Sequence, residues 1–253
     1  FVEACREGGL GVGFYYGMTN WYENAKRFGT FDVRLNPLEI PERRAGWQDL
    51  LAMKWAQLEE LLTNYGPVDI LWLDDVPHAS ESYDLDGLYR LVRKLQPGCL
   101  IGENTRGCGR GDIDIAEERF LDTIPERPWE LCMPIAIRWG HHRGDTDYKS
   151  IRQILGLLRR CAYGGGNLLL NTGPYEDGRM QPEQERILRT VGTWLDRQGE
   201  SIFGCRNIFP GHAEWGDAAS AKGNTLYLHV DRWMGASWAF CGLANKVVSV
   251  RLL

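Results

Sequence analysis

Short, continuous apolar runs alternate along the chain with longer stretches in which apolar residues recur every three or four positions. The runs over 10–16, 68–73, 99–103 and 167–171 have the length and texture of strands buried on both faces. The stretches 48–65, 85–95, 151–163 and 182–198 have helical spacing, as Leu50, Leu51, Trp55, Leu58, Leu61 and Leu62 illustrate in the first of them. Breakers fall where this reading needs them. Gly8-Gly9 ends a short opening helix, Gly66-Pro67 ends the helix over 48–65, and Gly164-Gly165-Gly166 parts a helix from the strand that follows. Trp21 and Tyr22 fall in a stretch that reads as loop, as does the Gly-rich segment 104–114. The alternation over residues 1–204 predicts βαβ units in a parallel sheet or barrel. After Gly204 the texture changes to short β-like runs over 225–230 and 246–253, with a turn at Lys222-Gly223-Asn224, so 205–253 is expected to begin a separate antiparallel β module.

Composition narrows the partners. The 253 residues carry a net charge of -5 with no long tract of one sign, which gives no reason to expect nucleic acid or an anionic membrane. No apolar run approaches the length of a membrane span, and the N-terminus has no basic region followed by an apolar stretch. A soluble chain is expected, and nothing in the sequence assigns a compartment. Seven cysteines with no Cys-x-x-Cys pair suggest neither a zinc site nor a disulfide framework. Ten Trp and ten Tyr, by contrast, are many for this length. Each joins a flat apolar face to a hydrogen-bonding edge, as sugar recognition requires, although core filling uses the same residues.

In a parallel βα architecture the strands point their C-terminal ends at one mouth, where catalytic side chains collect. Four expected strand ends carry polar or aromatic candidates: Tyr15-Tyr16, Trp72 with Asp74-Asp75, Asn104 with Arg106, and Asn171. Asp74 follows Ile70-Leu71-Trp72-Leu73, so its carboxylate leaves a rigid apolar strand beside an indole. A nucleophile needs such a setting, and a turn-capping Asp is equally compatible with it. Glycoside hydrolysis needs a second carboxyl group as proton donor, for which Glu117 and Glu118 are available, unless that pair is solvated surface. His141-His142 lacks metal-ligand spacing and reads as a solvated loop or a substrate contact.

Several segments together resemble one family, the α-L-fucosidases of glycoside hydrolase family 29. Gly165-Gly166-Asn167-Leu168-Leu169-Leu170-Asn171-Thr172-Gly173-Pro174, with Asp177-Gly178 and the later Gly199-Glu200-Ser201-Ile202-Phe203, is similar to that family's last barrel strand and helix. Tyr65-Gly66-Pro67-Val68-Asp69-Ile70-Leu71-Trp72-Leu73-Asp74 resembles its nucleophile strand. Trp129-Glu130-Leu131-Cys132-Met133 with Trp139-Gly140 resembles a further segment. Lys222-Gly223-Asn224-Thr225-Leu226-Tyr227 and residues 245–253 resemble the opening of its C-terminal β-sandwich.

The resemblance implies an α/β fold, a partial (β/α)8-type barrel comprising strands 4 to 8 over residues 1–204, with the β module after it. It implies a retaining exo-glycosidase that removes terminal α-L-fucosyl residues from glycoconjugates or oligosaccharides through a covalent glycosyl-aspartate, with no metal or other cofactor. Asp74 matches the nucleophile of the Trp-x-Asp motif. Glu117 aligns with the acid/base, with Glu118 as the alternative. Tyr15, Trp72 and Arg106 match residues lining the fucose pocket. Two departures stand out. Asp75 occupies a position where family members usually have Gly, and the early strands that carry the family's fucose-gripping His residues have no counterpart. An open barrel with an exposed strand edge is therefore expected, completed by self-association or by pairing with a missing N-terminal part. The alternative is a non-catalytic remnant with weak binding of fucosylated glycans or a structural role.

Overall fold

A computed structural model describes residues 1–28, 44–76, 84–104, 110–205, 219–230, 233, 235–237, 239–240 and 242–253. Its contacts divide the chain into two compact units, Phe1–Trp129 and Glu130–Leu253.

The first unit runs α1 (Val2–Glu7), β1 (Gly13–Gly17), α2 (Trp21–Phe28), α3 (Arg44–Thr63), β2 (Ile70–Asp74), α4 (Leu85–Leu95), β3 (Leu100–Glu103) and β4 (Ile113–Glu117). The four strands pair in chain order and all are parallel. Strand β2 shows why these residues choose this arrangement. Leu71 and Leu73 are fully buried in the main hydrophobic cluster with Leu50, Leu58, Leu62, Leu88 and Val92 of the flanking helices. Ile70, Trp72 and Asp74 point to the opposite face, as a period of two requires. Gly102 of β3 lies on that second face: a Cβ there would come within 3.1 Å of Ile115 and 3.4 Å of Trp72. The same alternation carries Asn104 and Glu117 onto the face of Asp74. Helix α4 starts at Asp84, whose side chain accepts from Gly87 N at 3.0 Å.

The second unit contains all but the first residue of β5 (Trp129–Pro134), then α5 (Ile151–Gly164), β6 (Asn167–Asn171), α6 (Pro182–Gln198) and the hairpin β7 (Ala219–Lys222) and β8 (Thr225–Leu228). Strands β5 and β6 are parallel, from Glu130 opposite Asn167 to Pro134 opposite Asn171. Helix α5 opens on a capping box, Ser150 with Gln153, and closes on Gly165 at φ 67°. Ile135, Ile154, Ile187 and Val191 form the core between these elements. No helix of the described residues is long and apolar enough to cross a membrane.

Two expectations change. The stretch with Trp21 and Tyr22 is helical, because Asn20 caps it, its Oδ1 accepting from Glu23 N at 3.0 Å. Residues 246–253 form no strand. Val248 and Val250 are 90% and 86% exposed, and the segment is tied instead through Arg251 to Glu200 and through Leu253 O to Gln198.

Candidate active site

At the C-terminal end of β2 the carboxylate of Asp74 is held by three donors. Tyr15 OH donates to Oδ2, while Asn104 Nδ2 and the Asp75 backbone N–H each donate to Oδ1 at 2.8 Å. Tyr15 reaches it because β1 and β2 set Tyr15 opposite Trp72 and Gly17 opposite Asp74. The Tyr15 and Trp72 rings stack at 5.6 Å and 21°, and Tyr15 is 66% exposed, so the pair presents an aromatic surface beside the carboxylate. Burial, followed by the hydrogen bond to Asp74, holds the Tyr15 phenol well above its ordinary range, which keeps it a proton donor at neutral pH.

The second carboxyl group arrives from β4. Asn104, immediately after β3, also donates from Nδ2 to Glu117 Oε2 at 3.0 Å, so one amide nitrogen touches both Asp74 and Glu117. Glu118 is turned away and exposed, with φ at 56°. Asp75 is also exposed and left-handed, at φ 50°, and its Oδ2 accepts from Thr19 Oγ1 at 2.5 Å. Each acidic pair is thus split in the same way, with one member hydrogen-bonded to Asn104 and the next exposed in a left-handed bend.

Strand β4 is anchored from outside. Arg127 grips Asp114, with Nε to Oδ2 at 2.7 Å, and reaches Gly111 O at 2.8 Å. That ion pair raises the Arg127 guanidinium further above its already high range. Arg93 of α4 clasps Asp112 through both carboxylate oxygens at 2.6 and 2.5 Å, and Asp112 Oδ2 in turn accepts from Ile101 N at 2.7 Å. At Gly111 a Cβ would stand 2.7 Å from Ile101 O, so packing admits only glycine there. Behind Asn104, Glu103 is 3% exposed and accepts from Tyr89 OH and from Gly111 N at 3.1 Å.

Tyr15, Trp72, Asp74 and Glu117 therefore come together within the first unit, whereas Arg106 lies outside the described residues. Asn171 belongs to the second unit and donates to Trp139 O at 2.7 Å. His141 there packs edge-on against Tyr175 at 4.8 Å. Among the described residues no three His, Cys, Asp or Glu side chains gather as metal ligands would. The sequence marks Asn104 only as a strand-end candidate. Its bridging position follows from the alternation of β3, which sets it on the face of Asp74.

The family model for Alpha-L-fucosidase matches residues 1–200. The chain is 28% identical over 209 residues to the plasma alpha-L-fucosidase of Homo sapiens, an alignment covering 77% of this chain and 42% of that protein. It is 28% identical over 256 residues to the alpha-L-fucosidase of Branchiostoma floridae, covering 94% of this chain and 53% of that protein. The chain thus spans about half the length of the curated relatives it matches. Among solved structures, alpha-L-fucosidase isoenzyme 1 from Paenibacillus thiaminolyticus superposes with a TM-score of 0.73 at 30% identity, covering 92% of this chain and 60% of that one. The fold is accordingly a partial (β/α) barrel with a small antiparallel sheet.

Proposed function

The chain belongs to the alpha-L-fucosidase family, and from that membership we propose that the protein is a retaining exo-glycosidase that hydrolyses terminal α-L-fucosyl residues of glycoconjugates or oligosaccharides. Asp74 attacks the anomeric carbon while Glu117 protonates the leaving oxygen, and the C–O bond breaks to leave a glycosyl-aspartate. Glu117 then takes a proton from water, whose oxygen bonds to the anomeric carbon as the bond to Asp74 breaks. Tyr15 and Trp72 supply the aromatic wall against the sugar, and Arg106 matches a residue that lines the fucose pocket in the family.

The observation that carries this reading is the shared Asn104 nitrogen. Its distances of 2.8 Å to Asp74 and 3.0 Å to Glu117 cap the separation of the two oxygens at their sum. A closest approach of that size is compatible with the roughly 5–5.5 Å between the carboxyl groups of retaining enzymes, in which no water has to fit between nucleophile and sugar. Asp74→Asn should lower kcat on an aryl α-L-fucoside by at least about 10³-fold. Undiminished turnover by that variant would remove the assignment, and an inert wild-type protein would favour a non-catalytic glycan-binding role.

A further inference from the structure

We infer that Asn104 is a positioning residue, which fixes the nucleophile and the acid/base relative to each other through both half-reactions. The inference rests on the roles proposed above for Asp74 and Glu117. Asn104 is only 8% exposed, so its amide has little room to turn. Its orientation is set by chemistry: an amide oxygen turned to this site would face the Asp74 carboxylate acceptor to acceptor, whereas the NH₂ group has one hydrogen for each carboxyl group. The structure has the nitrogen on both, and Asn104 Oδ1 is buried with no hydrogen-bond partner among the described residues. A buried amide that leaves its own oxygen unsatisfied while its nitrogen serves two acids fits a functional placement better than a packing one.

The arrangement assigns the oxygens. Oε2 of Glu117 accepts from Asn104, so the transferable proton belongs on Oε1, and the amide can donate to Oε2 whether Glu117 is acid or base. Asp74 Oδ1 accepts from both Asn104 and the Asp75 N–H, which fixes the carboxylate plane. One short side chain thereby restrains two carboxyl groups carried on different strands.

The test uses the full-length protein with Asn104→Ala and the isosteric Asn104→Asp, which keeps the shape and replaces the donor by an acceptor. Three readouts separate positioning from fold. On aryl α-L-fucosides, kcat should fall by about 10²–10³-fold with KM within a few-fold, the size expected for loss of one preorganised donor. The loss should grow as the leaving group becomes more basic, because misplacing Glu117 harms only departures that need a proton. Labelling by 2-fluoro-fucosyl fluoride, followed by intact mass, should also slow. Fluoride departs with the electron pair of the C–F bond and needs no proton, so this step reports on Asp74 alone. If Asn104→Ala does not fold, Asn104→Asp carries the decision. Wild-type kcat and an unchanged leaving-group dependence in either folded variant, with Asp74→Asn inactive, would overturn the inference and spare the functional reading. A wild-type protein with neither turnover nor adduct would overturn both.

Discussion

Asp75 occupies a backbone position that favours glycine. Its φ of 50° lies in the left-handed region, where side chains other than Gly, Asn and Asp pay a steric cost. Asp is tolerated here, and its hydrogen bond from Thr19 offsets part of the strain. Asp75→Gly should therefore be close to neutral, within about 1 kcal/mol, since relief of strain and loss of one exposed hydrogen bond oppose each other. Asp75→Val should cost about 1–3 kcal/mol, because a β-branched side chain has no comfortable left-handed rotamer. Urea denaturation of the two variants checks the contrast, and equal midpoints would refute it. This residue also shows a limit of sequence reading. Asp74 and Asp75 are chemically identical, as are Glu117 and Glu118, and the sign of φ that tells the members of each pair apart is written in neither side chain. The resemblance selects Asp74 and Glu117, and in the structure the Asn104 amide donates to those two.

Helix α3 carries an uncommon load in Lys54, which is 3% exposed on an otherwise core-facing stretch. Its Nζ donates to Gly17 O at 3.4 Å and lies 5.3 Å from the centre of the Tyr16 ring. Burial brings the Lys54 ammonium from its ordinary 10.5 down to about 8. Between these two values the unfolded chain holds a proton that the folded one has released, so the contribution of Lys54 to stability rises with pH across that window and is flat below it. The span corresponds to about 3 kcal/mol. Lys54→Met, which keeps the volume and removes the charge, should accordingly raise the unfolding free energy at pH 7 by up to about 3 kcal/mol and flatten the rise between pH 8 and 10. Urea titrations at several pH values measure both effects, and a variant less stable than wild type at pH 7 would contradict the argument.

Other elements were legible to different degrees for physical reasons. Strand β2 was readable because its apolar run is unbroken, with Leu71 and Leu73 buried on one face and Ile70 and Trp72 half-buried on the other, and α4 and α5 because one face of each is apolar at helical spacing. Strand β4 was not, since Asp112 and Asp114 give it a polar texture that makes sense only once Arg93 and Arg127 are known to meet them. Helix α2 is too short and polar for periodicity to reveal, yet Asn20 three residues before Glu23 was a capping signal available in the sequence. Residues 246–253 alternate as a strand does, but alternation states a capacity for pairing, and among the described residues no strand partner takes it up.

Across the whole molecule, strand edges matter most. Among the described residues β1 pairs only with β2, and Tyr15 on β1 is largely exposed. A parallel strand whose edge has no strand partner among the described residues is a template for further pairing, so we propose that the protein self-associates there. Light scattering or mass photometry should then show species larger than a 253-residue monomer at micromolar concentration, and a well-behaved monomer would count against it. The left-handed residues after Asp74 and Glu117 bear on a different matter, the division of labour between chemistry and recognition. Because the main chain takes a left-handed conformation one residue beyond each acid, that acid is the last side chain its strand carries straight into the site. The placing of the two acids is thereby a property of the strands themselves, which separates the chemistry from whatever part of the chain meets the acceptor.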